Sequence, residues 1–216
     1  MNMRNSLYAL YGKRVFDMLA AACGLLVLSP VFILAAIAVK LSGPGPVLFG
    51  HRRIGLDFRP FYTHKFRTMV AGADRKGSAI TTGGDARITA VGRLLRKTKI
   101  DELPQLFNVL VGEMSLVGPR PEVAQYVELF REDYKTVLSV RPGITDYAAI
   151  EYRDEEGVLR ELVGGEESPK RYPTTHDAYV AEVLPAKIAL YKKYIAEQSF
   201  LTDIKIIIRT FGKIVG

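Results

Sequence analysis

Hydrophobic side chains are concentrated near the start of the chain. Residues 18 to 39 contain no charged side chain over 22 consecutive positions. As a continuous helix rising about 1.5 Å per residue, this stretch would reach about 33 Å, close to the hydrocarbon thickness of a bilayer. It is long for the apolar part of a signal peptide, and core helices are seldom apolar on every face over this length. The pattern therefore predicts a segment that inserts into a membrane.

Ser29 and Pro30 interrupt this apolar stretch at its middle, and proline removes a helical hydrogen bond. Basic residues flank the stretch on both sides, with Lys13 and Arg14 before it and Lys40 after it. The positive-inside rule favours cytoplasmic placement of both flanks, which a helix that breaks and returns to the same face would satisfy. Many true spans also carry a proline, so a kinked span and a re-entrant hairpin both stay open.

A β-hairpin is predicted after the apolar stretch. Residues 47–49 and 58–69 are predicted to be its strands, around a turn at 55–57 that contains glycine and aspartate. On the second strand Lys65 and Arg67 project from the same face, because side chains alternate with a period of two. Two cations on one face suit a diphosphate, and a solvated strand face is an equal alternative.

Beyond the hairpin the predicted elements are mostly helices. A mobile loop rich in glycine, serine and threonine is predicted at 71–85, and an acidic surface excursion at 154–170. Helices are predicted at 87–97, from 101 to about 112, at 123–138, and from 177 onward with Pro185 in the first turn of its second part.

The last predicted element, residues 199–215, is a two-faced helix. Lys205, Arg209 and Lys213 recur every four residues and form one stripe, and apolar residues occupy much of the remainder. A basic amphipathic helix of this kind can lie in a membrane interface. Packing against the protein's own core is the alternative, and the pattern leaves both open.

The composition limits the kinds of molecule that the protein is expected to bind. The 216 residues carry a formal net charge of +7, which points to an anionic partner such as a phosphorylated substrate, an anionic membrane surface or nucleic acid. No helix-turn-helix or RNA-binding aromatic signature is present, so nucleic acid is not expected. The single cysteine, Cys23, excludes an internal disulfide, and the 3 histidines form no zinc pattern.

Asp101 and Glu102 are adjacent carboxylates at the start of an apolar helical pattern, and many of the residues near them in the sequence are basic. The cations nearest to them along the chain are Arg93, Arg96, Lys97, Lys99 and Arg120. Asp before an apolar run is a common helix N-cap, and Glu in the first turn suits the helix dipole. A carboxylate pair among cations also suits chemistry on a phosphate ester. Taken alone, the pair favours the capping interpretation.

Two arginines are held by neighbouring prolines. Arg120 lies between Pro119 and Pro121, and Arg141 precedes Pro142. Proline restricts the backbone on either side, so each guanidinium is presented with little conformational freedom left to lose. Arginine is the side chain best matched to bidentate phosphate recognition. A proline-rich turn with a solvated arginine is the equal alternative.

A set of short motifs occurs in one order along the chain. They are Lys13-Arg14-Val15-Phe16-Asp17, Ser29-Pro30, Lys65-Phe66-Arg67-Thr68-Met69, Asp85-Ala86-Arg87-Ile88-Thr89, Asp101-Glu102-Leu103-Pro104-Gln105, Val117-Gly118-Pro119-Arg120-Pro121 and Arg141-Pro142-Gly143-Ile144-Thr145. In these residues the chain resembles the bacterial sugar transferases, also called monotopic phosphoglycosyl transferases. The resemblance extends from about Lys13 to Lys213.

The resemblance implies an activity and its site. Sugar 1-phosphate would pass from a UDP-sugar to a polyprenyl phosphate such as undecaprenyl phosphate, with release of UMP, at the start of glycoconjugate assembly. Asp101 would be the nucleophile that forms a phosphosugar–aspartyl intermediate, and Glu102 would help to hold Mg²⁺. The implied phosphate and nucleotide contacts are Lys65, Arg67, Arg87, Arg120 and Arg141.

The resemblance also implies a fold and a location. We expect an α+β, mostly helical protein whose residues 1–42 form a re-entrant membrane helix hairpin broken at Ser29 and Pro30. Residues 43–216 would form the catalytic domain, with a small β-hairpin and amphipathic interfacial helices. The protein would be monotopic, on the cytoplasmic face of the inner membrane and in contact with lipids. Pairing into a homodimer is left open.

The chain departs from the family after its Pro-Gly-Ile-Thr stretch. Many members continue there with glycine and a Gln-Val-Asn-Gly-Arg-like segment, whereas this chain has Asp146 to Arg153. The departure prevents any transfer of sugar specificity from the resemblance.

Two alternative functions differ in their predictions. A non-catalytic, membrane-anchored protein that binds anionic lipid through its basic face would be indifferent to Asp101 and Glu102. An enzyme that transfers the sugar alone would release a nucleoside diphosphate instead of UMP.

Overall fold

Two apolar helices near the start of the chain meet at a sharp bend. In the computed structural model, which describes residues 8–73, 85–164 and 171–215, a π-helical turn (Tyr8–Gly12) leads into α1 (Lys13–Val27), and α2 (Ser29–Leu41) follows. The two axes are bent by 62°. Ser29 Oγ donates to the Leu26 carbonyl at 2.8 Å, and Pro30 lies in the first turn of α2, where its missing N–H removes no helical bond. The predicted break is confirmed.

Neither helix meets the length and apolarity needed to cross a bilayer alone, nor does any other single helix in the described ranges. Together, α1 and α2 satisfy these two criteria as a bent pair. Large apolar side chains of both helices are exposed: Leu19, Leu26, Val27, Ile33, Leu34, Ile37 and Leu41. Exposed apolar surface of this extent marks a site of contact with a membrane or another protein.

The predicted β-hairpin is present. Strands β1 (Leu48–Ile54) and β2 (Pro60–Phe66) pair antiparallel, with Phe49 opposite Lys65 and His51 opposite Thr63. A 3-10 turn (Leu56–Phe58) joins them, and Asp57 there has a φ of 53°. Arg67 follows the end of β2, and its backbone N–H continues the sheet edge by donating to the Val47 carbonyl at 2.9 Å.

A second, parallel pair of strands was not predicted. Strands β3 (Ser115–Val117) and β4 (Gly143–Thr145) pair with Ser115 opposite Gly143 and Val117 opposite Thr145. Beside the pair, the backbones of Gly118 and Gly143 approach so closely that a Cβ on Gly143 would lie 2.1 Å from the Gly118 nitrogen. Only glycine permits this approach, which brings the two proline-flanked arginine segments together.

The remaining elements are helical. They are α3 (Ala90–Lys97), a 3-10 turn (Ile100–Glu102), α4 (Gln105–Val111), α5 (Ala124–Leu129), α6 (Arg131–Val137), α7 (Tyr147–Glu151), α8 (Glu155–Leu162), α9 (Thr175–Ala178), a π-helical turn (Tyr179–Val183), α10 (Leu184–Glu197) and α11 (Phe200–Val215). Helix α4 ends at Gly112, whose φ of 96° suits glycine, and Pro185 lies in the first turn of α10, both as predicted.

Three predicted elements need correction. The helix at 87–97 begins only at Ala90, because Thr89 caps it by accepting from the Gly92 N–H at 2.9 Å. The helix at 123–138 is two helices, interrupted at Phe130. The excursion at 154–170 contains α8, whose Leu159 and Leu162 are buried in the core, so it is not only a surface segment. Residues 74–84 of the predicted loop and 165–170 of the excursion lie outside the described residues.

Helix α11 packs on the core through one face and exposes the other. Ile206 is buried, and the buried Asp203 accepts from Lys13 Nζ at 2.7 Å and from the Tyr194 hydroxyl at 2.8 Å. The first bond ties α11 to α1, and the second ties it to α10. Phe200, Leu201, Ile208 and Phe211 remain exposed beside the basic stripe. Packing against the protein's own core is confirmed for one face of α11, and the membrane-interface interpretation of its exposed face stays a prediction.

Candidate active site

Glu102 is held between two cations from different parts of the chain. Lys65 Nζ, near the end of β2, donates to Oε1 at 2.7 Å. Arg120 donates from Nη1 to Oε2 at 3.0 Å and from Nη2 to Oε1. Burial alone would raise the pKa of Glu102, but the charges of Arg120 and Lys65 outweigh it and hold the pKa well below its usual value. Glu102 is therefore an oriented anion.

Asp101 has a contrasting environment. It is 7% exposed, and its Oδ1 has no hydrogen-bond partner among the described residues. Burial raises the pKa of Asp101, the negative charge of Glu102 raises it further, and Lys65 opposes both. Neighbouring carboxylates whose pKa values are pushed apart are typical of catalytic pairs with divided roles. The unpartnered oxygen is thus a buried acceptor that no described residue satisfies.

The backbone before the pair has an unusual conformation that separates the two carboxylates. Lys99 has a φ of 58°, in the left-handed region, and the 3-10 turn that follows is closed by the Leu103 N–H donating to the Ile100 carbonyl at 3.2 Å. Consecutive side chains of a 3-10 turn point about 120° apart. Neither carboxylate caps a helix, since α4 begins after Pro104 with no side-chain cap. The capping interpretation of the pair is wrong.

Arg120 is positioned by the parallel strands. The Gly143 N–H donates to the Pro119 carbonyl at 2.9 Å, and the Gly118 N–H donates to the Thr145 carbonyl at 3.0 Å. These bonds hold the segment that follows β3 against β4, and Arg120 extends from that segment towards Glu102. The proline-flanked backbone predicted from the sequence thus has a partner segment that the sequence did not reveal.

Asp146 also helps to position Arg120, although its sequence context predicted no site role for it. It is fully buried, its Oδ2 accepts from the Arg120 backbone N–H at 3.1 Å, and its Oδ1 caps α7 by accepting from the Ala149 N–H at 2.6 Å. Burial raises the pKa of Asp146 to about 6, against the effect of these backbone bonds. An aspartate before a helical pattern is an N-cap signal, which predicts the bond to Ala149 but not the bond to Arg120.

The other three predicted phosphate contacts bond to other groups, and two of them, Arg67 and Arg87, also line the cavity that surrounds the carboxylate pair. Arg67 donates to three carbonyls at the end of α2, those of Val39, Gly43 and Pro44, at 2.7 to 2.9 Å. Arg87 lines the cavity described below and pairs with Asp85, from Nη2 to Oδ2 at 2.6 Å. Arg141 donates from Nε to the Gly112 carbonyl at 2.8 Å, and it does not line the described part of the cavity. Phosphate contacts by these three arginines stay predictions.

A cavity of about 1620 Å³ surrounds the carboxylate pair and has two kinds of wall. One wall is charged, with Lys65, Asp101, Glu102 and Arg120 at its centre, and basic side chains of α3 beside them. The other wall is apolar and is built by α1 and α11. Its side chains include Phe16, Ala20, Leu28, Ile204, Ile207 and Phe211. A ligand that joins an anionic group to a long apolar chain fits both walls.

The carboxylate pair has the chemistry of a magnesium site that is completed by its substrate. No cluster of three or more metal-ligating side chains occurs within residues 8–73, 85–164 and 171–215. Mg²⁺ is commonly held by one or two carboxylates together with substrate phosphates. Asp101 offers an unpartnered oxygen, and Glu102 lies next to it in the chain. Both oxygens of Glu102 already accept from Lys65 or Arg120, so the pair fits such an ion once incoming phosphate groups pair with these two cations and leave an oxygen of Glu102 to bind it.

Comparison with known proteins agrees with the family resemblance seen in the sequence motifs. A model of the bacterial sugar transferase family matches residues 8–216. A UDP-glucose:undecaprenyl-phosphate glucose-1-phosphate transferase of Caulobacter vibrioides is 40% identical over 92% of this chain and 67% of its own length. A protein of the same name in Escherichia coli is 38% identical over 93% of this chain and 39% of its own length. A UDP-N-acetylgalactosamine-undecaprenyl-phosphate N-acetylgalactosaminephosphotransferase of Aeromonas hydrophila is 43% identical over 64% of this chain and 33% of its own length.

The chain therefore spans between about a third and two thirds of the length of these three relatives. Their names specify two different sugars, glucose and N-acetylgalactosamine. The similarity reaches the carboxylate pair and its cations, because the family match includes every residue from 8 onward.

Proposed function

The chain belongs to the bacterial sugar transferase family, and from this premise we propose that it transfers a sugar 1-phosphate from a UDP-sugar to undecaprenyl phosphate. One observation carries the proposal: the buried Asp101, with an unpartnered oxygen, adjoins a carboxylate clamped by Lys65 and Arg120. The products are UMP and undecaprenyl diphosphate-sugar, and the reaction starts the assembly of a polysaccharide or another glycoconjugate.

Asp101 acts as the nucleophile in the first step. One of its carboxylate oxygens attacks the phosphorus that bears the sugar, an acyl–phosphate bond forms, and the bond from that phosphorus to the oxygen of the departing UMP breaks. The pKa of Asp101 is raised by burial and by Glu102, which makes its ionised form a stronger nucleophile than an ordinary aspartate. Lys65 and Arg120 lie where negative charge accumulates on the phosphates.

The second step returns Asp101 to its original state. A phosphate oxygen of undecaprenyl phosphate attacks the same phosphorus, and the acyl–phosphate bond breaks towards the carboxylate. Because the intermediate separates the two half-reactions, the soluble donor and the lipid acceptor need not occupy the cavity together. The apolar wall of α1 and α11 accommodates the lipid chain beside the charged centre.

Mg²⁺, held by Glu102 and Asp101 with the donor phosphates, would supply positive charge against the diphosphate. Residues of the chain itself orient the carboxylate that binds this ion. Arg120 and Lys65 hold Glu102 in one orientation, and the segment around Asp146 holds Arg120.

We further propose that α1 and α2 form a re-entrant hairpin in the cytoplasmic face of the inner membrane. The bend of 62° and the exposed apolar side chains of both helices support this placement. The exposed apolar face of α11 and its basic stripe suit the interface beside it.

The test of the activity uses purified protein in detergent with radiolabelled UDP-glucose or UDP-N-acetylgalactosamine, undecaprenyl phosphate and Mg²⁺. Wild type should give lipid-linked sugar and UMP. Without acceptor it should release no more than one equivalent of UMP and gain the mass of one sugar phosphate. Asp101→Asn should lower turnover on the order of 10³-fold or more, since removal of a catalytic nucleophile costs at least this much.

Asp57→Asn is the matched control, because Asp57 lies in the hairpin turn with a φ of 53° that asparagine tolerates. It should retain wild-type turnover. Release of UDP in place of UMP would contradict the proposed chemistry in favour of transfer of the sugar alone. Equal product from wild type and Asp101→Asn would refute the nucleophile.

A further inference from the structure

His51 lies on the face of the β-hairpin that lines the cavity, next to the cation that holds Glu102. In the β1–β2 register Phe49 is opposite Lys65 and His51 is opposite Thr63, so His51 and Lys65 are diagonal neighbours on one face. Both side chains line the cavity. His51 is therefore one residue pair away from Lys65 along the hairpin and lies in the same cavity wall.

The hydrogen bonds around His51 determine its tautomer. Arg53 Nη2 lies 3.3 Å from His51 Nδ1, and because a guanidinium only donates, Nδ1 is the acceptor. Arg53 is itself fixed, since its Nη1 donates to Glu122 Oε1 at 2.8 Å and the Tyr179 hydroxyl donates to Glu122 Oε2 at 2.6 Å. A neutral imidazole with Nδ1 accepting carries its proton on Nε2.

The ring is uncharged at neutral pH. Burial, together with the charges of Arg53 and Lys65, lowers the pKa of His51 to about 4, against the opposing effect of Glu122. The ring also packs against Phe49, with centroids 6.1 Å apart. Among the described residues Nε2 has no hydrogen-bond partner. His51 thus presents one neutral, oriented N–H donor in a cavity wall that is otherwise rich in charge.

We propose that His51 Nε2 donates a hydrogen bond to a neutral oxygen of the nucleotide-sugar donor, beside the phosphates that Lys65 and Arg120 hold. The acceptor is a hydroxyl or acetamido carbonyl oxygen of the sugar, or a carbonyl oxygen of the uracil. The inference rests on the proposed function for the identity of the ligand. A lysine at this point would attract any anion, whereas a neutral donor selects a ligand that carries an acceptor at the matching place.

The test compares three substitutions of His51 that differ in the position or presence of a side-chain N–H donor. The amide nitrogen of His51→Gln reaches approximately the position of Nε2, whereas that of His51→Asn reaches only the position of Nδ1. His51→Phe retains the ring against Phe49 and removes the donor. Calorimetry with UDP-glucose, UDP-N-acetylgalactosamine and UMP, carried out in an Asp101→Asn background so that no UMP is released during the titration, gives the dissociation constants, and thermal unfolding verifies that each variant is folded.

We expect the Kd for at least one UDP-sugar to rise about 3- to 10-fold in His51→Phe and His51→Asn, as loss of one neutral hydrogen bond predicts, and to stay near wild type in His51→Gln. If the acceptor belongs to the sugar, binding of UMP is unchanged. If it belongs to uracil, UMP loses affinity by the same factor.

If folded His51→Phe binds every UDP-sugar and UMP with a Kd within about twofold of wild type, the inference is overturned. Equal losses in His51→Gln and His51→Phe would do the same, because they would reflect a change of packing instead of a lost donor. A wild-type protein that binds no UDP-sugar and makes no lipid product would refute the proposed function itself. Transfer by wild type together with unaltered binding in His51→Phe would refute only the role of His51.

Discussion

Arg120 contacts both carboxylate oxygens of Glu102, from Nη1 to Oε2 at 3.0 Å and from Nη2 to Oε1. This two-pronged contact joins a residue that follows β3 to one that ends the turn before α4. It fixes the rotation of the carboxylate as well as its position, which a single point charge would not do. The orientation of Glu102 relative to Asp101 therefore depends on the planar shape of the guanidinium and not on its charge alone.

Replacement of Arg120 by lysine tests this dependence. Arg120→Lys keeps the charge but makes one bond where the arginine makes two, so kcat/KM should fall about 10- to 100-fold, the effect of losing one charged hydrogen bond. Steady-state assays of lipid-linked product measure it. Arg131→Lys is the control, because Arg131 also pairs with a glutamate, Glu128, but on the exposed surface of α5 and α6. Equal activity in both variants would show that charge alone suffices at position 120.

Asp146 should give the folded protein a distinctive pH dependence. Its folded pKa of about 6 is above the unfolded value near 3.8, so the folded state binds the proton more tightly between these values. The free energy of unfolding should therefore fall as pH rises from 4 to 7, by about 3 kcal/mol from this group. Denaturant titrations of wild type and Asp146→Asn in detergent, compared across that range, give the difference.

Asp146→Ser is the companion variant, since serine and asparagine both remove the ionisable group and keep an oxygen that can cap α7 at the Ala149 N–H, whereas the smaller serine leaves a buried space unfilled. The two variants should differ in their free energy of unfolding at any one pH. Both should lack the decrease in this free energy that Asp146 causes between pH 4 and 7. Wild-type and variant curves that run parallel from pH 4 to 7 would rule out the raised pKa.

The sequence predicted those features whose signals are local. A charge-free stretch with a central Ser-Pro pair predicted the bend between α1 and α2, and alternation around a turn predicted the hairpin that carries Lys65. The restricted backbone around Arg120 was also visible from its prolines. Local signals succeed here because each depends only on the residues that immediately surround it.

Features that depend on distant backbone partners were not predictable. Strands β3 and β4 have three residues each, too few for a recognisable period, and the bond from the Arg120 N–H to Asp146 exists only because they pair. The bonds from Arg67 to the carbonyls of Val39, Gly43 and Pro44 were likewise not predictable, because these partners lie more than 20 residues away in the chain. The capping error at Asp101 arose from the left-handed backbone of Lys99, which no neighbouring residue signals.

The close approach of Gly118 and Gly143 should be essential for the site. Gly143→Ala places a Cβ 2.1 Å from the Gly118 nitrogen and so forces the two segments apart, which should cost about 3 kcal/mol of unfolding free energy and displace Arg120. Gly212→Ala is the control: it lies in α11 with nothing within 4 Å of the added carbon, and it should stabilise the helix by about 0.5–1 kcal/mol. Chemical denaturation and turnover measure both variants. Wild-type stability of Gly143→Ala would disprove the packing.

The topology of the hairpin can be tested by labelling. In a Cys23→Ser background, Tyr11→Cys and Gly50→Cys place one exposed thiol before α1 and one after α2. A re-entrant hairpin should leave both thiols accessible to an impermeant maleimide from the cytoplasmic side of inverted vesicles and protected in intact cells. Labelling of the two positions from opposite sides would establish a kinked span instead.

The left-handed conformation of Lys99 should matter more to the site than its charge. At a φ of 58°, glycine is unstrained, whereas a β-branched side chain clashes with its own backbone. Lys99→Gly and Lys99→Val remove the same charge, so a difference between them reports the backbone. We expect Lys99→Gly to stay within about 1 kcal/mol of wild-type stability and to retain most activity, and Lys99→Val to lose about 2 kcal/mol and much of its turnover. If instead both variants lose activity equally at unchanged stability, the ammonium group of Lys99, and not the turn that it begins, is what Asp101 requires.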